Sequence, residues 1–309
     1  MHVGLLYSRI RRDEKLLLSE LRERDHEVTK IDVRKERFNI DEAPAAFDDV
    51  DIAVDRCLAT SRSKYVTRFL DAYGIPVINS ADTAELCADK VKNSLALEAA
   101  GVPTPNTDVA FTTDSALESI EAFGYPCVLK PVIGSWGRLM AKVDSRSAAE
   151  AILEHKATLG HYEHKVFYIQ EFVEKPGRDI RVVATDGEPV AAMTRSSDHW
   201  LTNAAKGGEV NEFEVSQEVA DLVKRASDAV GGGLLGVDLM ETGDSYTVHE
   251  VNHTVEFKAL DSCVDFDVPA AIVDWLETMF FLMVRRPPRS TPRASSAPAA
   301  SRAANSSVS

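Results

Sequence analysis

The chain has 309 residues, 44% hydrophobic and 27% charged, with no apolar run long enough to cross a bilayer, so it reads as a globular protein of two or three modest domains. Its formal charge of −14 argues against nucleic acid as a partner, because phosphate would be repelled. The four cysteines, Cys57, Cys87, Cys127 and Cys263, stand far apart with no C-x-x-C pair, which points to reduced thiols rather than a disulfide framework or a zinc site.

In chain order, His2–Tyr7 is an apolar strand without the basic start and small-residue cleavage site of a secretory signal, so a cytoplasmic location is expected. Residues 16–24 show helical spacing and 27–33 are extended. Residues 51–55 read as a strand, 63–73 as a helix and 76–79 as a strand. The pattern predicts a small Rossmann-like layer over 1–86. No G-x-G-x-x-G follows its first strand, which argues against a dinucleotide dehydrogenase. One helix is expected over 81–100, stopping at Gly101 before Pro103, with Lys90 mid-helix on a solvated face.

Residues 125–131, Y-P-C-V-L-K-P, form a strand ending in Lys130, which is either an edge lysine reaching water or a cation aimed at phosphate. The loop 133–138 carries Gly134, Ser135, Trp136 and Gly137. Its backbone N–H groups either close over phosphates or make a plain turn, and no G-K-[ST] of a Walker A loop is present. A helix is expected at 147–159 and a strand at 166–173. That strand ends in Gln170, Glu171, Phe172 and Val173, whose backbone either meets an adenine edge or forms an ordinary connection. Glu174 or Asp179 then offers a carboxylate for ribose hydroxyls. A hairpin turning at Asp186-Gly187 puts Arg181 and Arg195 near its open end. There they either grip a substrate carboxylate or stabilise a tetrahedral intermediate, or they are surface charge. Gln217–Val230 has Val219, Leu222, Val223 and Ala226 at helical spacing.

The segment 236–252, G-V-D-L-M-E-T-G-D-S-Y-T-V-H-E-V-N, reads as a hairpin. If its pairing centres near Asp244, Asp238 lies opposite Glu250 and Asn252 shares their face. Two carboxylates and an amide oxygen so close either solvate one hairpin face or hold magnesium shared with phosphates. Val237, Leu239, Val248 and Val251 alternate with them, as expected when the polar face lines a cleft.

Taken in order, Lys90, L-K-P with its glycine loop, Q-E-F-V, G-R-D-I-R, and G-V-D-L paired with H-E-V-N resemble the ATP-grasp superfamily, and within it the RimK-like branch. The stretches 134–138, 200–208 and 252–258 are similar to the amino-group carrier protein ligases of lysine and arginine biosynthesis, the LysX/ArgX type. The resemblance covers about residues 1–277. It implies an α/β and α+β architecture: a Rossmann-like pre-ATP-grasp domain at 1–86 and an ATP-grasp domain at 87–277. The latter would have a lid at about 105–168 and a catalytic part at about 169–277. It implies an ATP-dependent carboxylate–amine ligase that passes through an acyl-phosphate and joins glutamate or 2-aminoadipate to the C-terminal glutamate of a small acidic carrier protein. Two Mg2+ ions and a homo-oligomer are expected with it.

Carried over by position, the resemblance gives Lys90 and Lys130 the ATP phosphates, beneath Gly134, Ser135, Trp136 and Gly137. Gln170, Glu171, Phe172 and Val173 would meet adenine, Asp179 the ribose, and Asn203 the phosphates' neighbourhood. Asp238, Glu250 and Asn252 would hold Mg2+, and Arg181 and Arg195 would serve catalysis. Arg195, Ala204, Glu256, Phe257 and Lys258 would contact the amino acid. Where relatives often read N-T-A-R-G-G, this chain reads N-A-A-K-G-G at 203–208, so nothing is assigned to that threonine or arginine. Competing readings are a RimK-like glutamate ligase acting on a ribosomal protein or a coenzyme tail, and a non-catalytic nucleotide-binding protein.

From Thr278 the texture changes to a short apolar burst and then a Ser/Ala/Pro/Arg tail, expected to be disordered and non-native. Five arginines and no acids follow Glu277, so residues 1–277 carry 30 basic against 49 acidic residues, about −19. Such acidity suits an ordinary solubilising surface or a salt-rich cytoplasm. An acidic carrier would then need a local basic patch, with Arg138, Arg195, Lys206 and Lys258 as candidates.

Overall fold

The computed structural model describes residues 1–58, 60–134, 139–159, 165–202 and 208–285. Strands buried on both faces favour parallel pairing under covering helices. Accordingly β1 (His2–Tyr7), β2 (Glu27–Asp32), β3 (Ile52–Asp55) and β4 (Val77–Ile78) form a parallel sheet ordered β2-β1-β3-β4. Side chains alternate along it: Val3, Leu5, Ile52 and Val54 join Leu17 and Leu21 of α1 (Arg12–Glu23). Leu6 and Ala53 instead join Val66 and Leu70 of α2 (Thr60–Tyr73) on the other face.

The helix expected over 81–100 is two helices, α3 (Ala81–Ala88) and α4 (Lys90–Ala99). Asp89 breaks the run in extended backbone, and its carboxylate accepts from the Val91 and Lys92 N–H groups, capping α4. Lys90 is thereby the first residue of α4 rather than a mid-helix surface residue, and it is 8% exposed.

A second sheet, ordered β5-β8-β6-β7, comprises β5 (Thr107–Ala110), β6 (Cys127–Lys130), β7 (Ala141–Val143) and β8 (Phe167–Glu171). It is covered by α5 (Thr113–Phe123) and α6 (Arg146–Leu159) through Ala116, Ile120, Ala149 and Leu153. Cys127 and Leu129 enter that core, which turns Val128 and Lys130 to the opposite face.

The third sheet is antiparallel, β11-β10-β9-β12-β13. Its strands are β9 (Arg178–Thr185), β10 (Glu188–Ser196), β11 (Glu209–Glu212), β12 (Leu234–Thr242) and β13 (Ser245–Asn252). Ile180, Val182, Leu235 and Val237 pack under α7 (Gln217–Val230). The other face meets the N-terminal domain through Val183, Met193 and Leu234, together with α8 (Lys258–Asp261) and α9 (Val268–Arg285). The tail expected to be disordered from Thr278 is therefore helical as far as Arg285. The apolar burst continues α9, and Met283 packs on the same core. Residues 286–309 lie outside the described residues.

Asn79 fastens the N-terminal domain to this sheet. Its Nδ2 donates to the carbonyls of Leu234 (2.8 Å) and His253 (2.5 Å), and its Oδ1 accepts from the Leu234 N–H (2.6 Å). Gly233, at φ +108°, has no room for a Cβ, which would fall 2.0 Å from Asn79 Oδ1. Asn79→Ala would strand these buried groups. It is expected to lower unfolding stability by about 2–4 kcal/mol in urea titration, with a loss under about 0.5 kcal/mol contradicting the account.

Candidate active site

Between the second and third sheets lies a cavity of about 420 Å³. Val128, Met140, Phe172, Val173 and Met240 supply apolar lining, and the charged lining comes from both sheets and from α4.

On the third sheet, strand periodicity sends Arg181, Arg195 and Asp238 to the cavity face. Register places Arg181 beside Asp238 and Arg195 beside Asp179. Arg181 Nη2 donates to Asp238 Oδ2 at 2.7 Å, and Arg195 Nη2 donates to Asp238 Oδ1 at 2.8 Å. Arg195 Nε donates to Asp179 Oδ1 at 2.6 Å, while Thr202 Oγ1 donates to Asp179 Oδ2 at 2.5 Å. Burial works to raise the Asp238 carboxyl, but Arg181 and Arg195 outweigh it and hold the group well below the usual carboxylate range. Gly236 makes the arrangement possible, since a Cβ there would sit 3.1 Å from Arg181 Nη1 and 2.6 Å from Val255 Cγ2. Arg195 is 9% exposed and doubly paired, so it is not the docking charge the sequence suggested. Of the other three patch candidates, Lys258 is exposed, while Arg138 and Lys206 lie outside the described residues.

The last hairpin pairs Asp238 with Glu250, but not by the expected route. The turn is the two-residue Gly243-Asp244, and a register shift beyond Leu239–Val248 inserts His249 as a bulge that restores the Asp238–Glu250 pairing. His249 also lines the cavity, with its ring nitrogens 3.2 and 3.4 Å from Lys130 Nζ. Asn252 Nδ2 donates to Asp238 Oδ2 at 3.2 Å.

Two lysines face these acids. Lys90 Nζ donates to Glu250 Oε1 at 2.7 Å and to the Gly134 carbonyl at 3.2 Å. Lys130, 2% exposed, donates to Gln170 Oε1, whose Nε2 in turn donates to Thr107 Oγ1 at 2.9 Å. Burial, outweighing nearby Glu250, pulls the Lys130 ammonium down to about 7, and burial followed by the Lys130 charge pushes His249 well below its usual range.

The Gln170 side chain is thus spent within the site. The Glu171 carboxylate turns back to Asn106, accepting from its N–H at 2.8 Å and its Nδ2 at 2.9 Å. Phe257, expected at the amino acid, is fully buried in the core with the Arg56 guanidinium 5.6 Å from its ring centre. Its neighbours Glu256 and Lys258, unlike Phe257, line the cavity. Ser135, Trp136, Gly137, Asn203 and Ala204 lie outside the described residues. Lys175, Thr202 and His249 were missed by the sequence reading. Lys175 Nζ donates to Thr202 Oγ1 at 2.6 Å. The signals available were the lysine before G-R-D-I-R and the extra histidine in V-H-E-V-N.

Asp238, Glu250 and the Asn252 amide form a hard-oxygen set suited to Mg2+. Among the described residues no three His, Cys, Asp or Glu side chains gather closely enough to hold an ion by themselves. An ion here would complete its shell from oxygens brought in, such as phosphate.

Residues 3–86 match the LysX preATP-grasp domain family and residues 87–276 the RimK-like ATP-grasp domain family. The chain is 30% identical over 283 residues to the glutamate–LysW ligase ArgX of Sulfolobus acidocaldarius, covering 91% of this chain and 99% of that one. It is 34% identical over 229 residues to the alpha-aminoadipate–LysW ligase LysX of Saccharolobus solfataricus, covering 74% and 83%. A crystal structure of a RimK domain ATP-grasp protein from Sphaerobacter thermophilus superposes with a TM-score of 0.77 at 30% identity, covering 89% and 99%. Among the described residues no helix is long and apolar enough to cross a membrane.

A buried lysine that loses its proton near pH 7 when folded, but only near 10.5 when unfolded, makes the unfolded chain bind more protons between those values. Stability from this group therefore rises with pH across that window. Lys130→Met removes the effect, so the variant should gain on the parent as pH falls from 10 to 7, by up to about 1.4 kcal/mol per pH unit. Urea unfolding at several pH values tests this, and a parent–variant difference independent of pH contradicts it.

Proposed function

The chain belongs to the RimK-like ATP-grasp ligases, enzymes that spend ATP to join a carboxylate to an amine, and from this premise we propose that it joins the α-amine of glutamate, or of its longer homologue 2-aminoadipate, to a carboxylate of a LysW-type carrier protein in the cytoplasm. The observation that carries the reading is the convergence of cations and acids on facing walls of one cavity. Lys90 and Lys130 come from α4 and the second sheet, and Asp238, Glu250 and Asn252 come from the third.

A carboxylate does not react with an amine in water at a useful rate, so it must be activated. In the proposed route a carrier carboxylate oxygen attacks the γ-phosphorus of ATP, ADP leaves, and an acyl-phosphate remains. The amino acid's amine then attacks the acyl carbon, and phosphate departs with loss of a proton from the nitrogen. Such chemistry asks the protein for positioning and charge neutralisation rather than a nucleophile.

Lys90 and Lys130 would take phosphate oxygens, and the apolar lining with the 170–173 strand end would take adenine. Asp238, Glu250 and Asn252 would hold Mg2+, which supplies charge neutralisation at the transferring phosphoryl group. Arg195, fixed between Asp179 and Asp238, and Arg181 beside it would stabilise negative charge on the reacting acyl centre.

A basic edge supports reception of an acidic protein. Exposed Arg9 and Arg12 follow β1, Arg34, Lys35 and Arg37 follow β2, and Arg62 follows β3, all at the carboxyl ends of adjacent parallel strands. Leu58 beyond β3 and Lys258 line the cavity, so this edge borders its mouth.

Incubation with ATP, Mg2+, purified carrier and each amino acid, read by intact mass, tests the proposal. The carrier should gain one residue of glutamate or 2-aminoadipate, whereas modification only of a ribosomal protein or a coenzyme tail would favour the competing RimK-like reading. Glu250→Gln should cut ADP formation by at least about a hundredfold with little loss of fold. Unchanged turnover with ordinary magnesium dependence would remove Glu250 from the metal set.

A further inference from the structure

Two adjacent carboxylates at the start of α1, Asp13 and Glu14, are fully buried. Burying a charge costs free energy unless close partners hold it, so a pair of them calls for an account. Asp13 Oδ1 accepts the backbone N–H groups of Phe257 (2.7 Å) and Lys258 (2.9 Å) across the domain junction. Glu14 accepts from Arg11 Nη2 (2.7 Å) and Nε (3.0 Å), and from Arg56 Nε (3.3 Å). Arg11 uses its remaining Nη1 to reach the Glu256 carboxylate.

These contacts form a line of alternating charge, Arg56–Glu14–Arg11–Glu256, running from a guanidinium 1% exposed to a carboxylate on the cavity wall. Arg11 is shared between two acids, so Glu256 is oriented without having a cation to itself. Lys258, whose backbone is pinned by Asp13, also faces the cavity. The same stretch begins at Asn252 and is held by the N-terminal domain at His253 as well, through Asn79 and through Ser63, whose Oγ lies 3.0 Å from His253 Nε2.

We propose that Arg11, Asp13 and Glu14 are positioning residues for the amino-acid substrate. Arg11 and Glu14 set the Glu256 carboxylate where it receives the substrate's ammonium group, and Asp13 sets the backbone from which Lys258 meets a substrate carboxylate. The proposal rests on the ligase reading above and goes beyond it by giving the N-terminal domain a share of amino-acid recognition and none of nucleotide recognition. The physical basis is preorganisation: a half-exposed glutamate free to rotate must be ordered on binding, whereas one braced from behind is already in place.

Arg11→Gln tests it in the full-length protein, with KM for the amino acid, KM for ATP and kcat measured separately. The expected result is a rise of about tenfold or more in the amino-acid KM, with the ATP KM and kcat moving by less than about twofold. Arg11→Lys, which keeps the charge but not the fork, should fall between, and it carries the test if the first variant does not fold. Asp13→Asn keeps an acceptor oxygen for the two N–H groups and should stay near the parent, while Asp13→Ala should raise the amino-acid KM. An unchanged amino-acid KM in both Arg11 variants, or a parallel rise in the ATP KM, overturns the positioning role. A parent enzyme that consumes neither amino acid with the carrier overturns the functional reading instead, so the two failures are told apart.

Discussion

A carboxylate removed from water must be paired, and the pairing of Asp238 with both Arg181 and Arg195 organises the site. Three strands are tied by it: Arg181 on β9, Arg195 on β10 and Asp238 on β12 lie at registered positions of one sheet. The opposite faces of these strands are packed under α7, so a register slip of one residue would bury the ions and expose the core. The hydrophobic pattern therefore holds the charged constellation in place, and Gly236 gives the guanidinium the space it needs.

Much of this was legible because β periodicity is local. Alternation in G-V-D-L and H-E-V-N placed Asp238 alone on one strand, and Glu250 and Asn252 together on the next, at positions able to share a face. The pairing nevertheless centres between Gly243 and Asp244 rather than on Asp244, and only the His249 bulge restored the Asp238–Glu250 pair that a symmetric hairpin about Asp244 gave by simpler means. A bulge leaves no composition signature beyond one extra residue, so neither it nor its histidine was foreseen. Lys90 was misplaced for a comparable reason. Nothing in A-D-K-V-K-N distinguishes an aspartate within a helix from one that ends a helix and caps the next, because the choice depends on whether Lys90 has an acid to reach, and that acid is distant Glu250. Phe257 went the other way: adjacency to Glu256 and Lys258 suggested a shared role, but it stands immediately before α8 with its ring fully buried in the core.

The junction between the N-terminal domain and the third sheet was not legible at all. Its members are buried polar side chains, Asn79, Asp13, Glu14 and Arg56, scattered through helix starts and strand ends. Taken alone each resembles a cap or a surface charge. The meaning of Asn79 and Asp13 is set by backbone groups some 150 to 250 positions away, and that of Glu14 and Arg56 by each other and by Arg11, with no spacing rule to connect them. Buried polar contacts of this kind specify geometry more than they add stability, since each must be satisfied in one arrangement. The segment from Asn252 to Lys258 runs between the acids of the third sheet and the Glu256 end of the cavity, so the domain that holds it governs the distance between the two.

The distribution of charge follows from the same requirement at larger scale. A chain with a net −14 repels an acidic protein at long range, yet Arg9, Arg12, Arg34, Arg37 and Arg62 stand exposed at the carboxyl edge of the parallel sheet while the cavity's own arginines are occupied by Asp179 and Asp238. Edge cations act within about one Debye length, some 8–10 Å at moderate salt, so they favour a partner only once it is near the cavity mouth. Lys90 meets its counter-ion Glu250 at contact distance, where screening by salt is weak. In the proposed reaction, salt should therefore govern how the acidic carrier arrives much more than how phosphate is held, because a buried arginine already paired twice cannot also serve as a docking charge and the docking would fall to the edge cations.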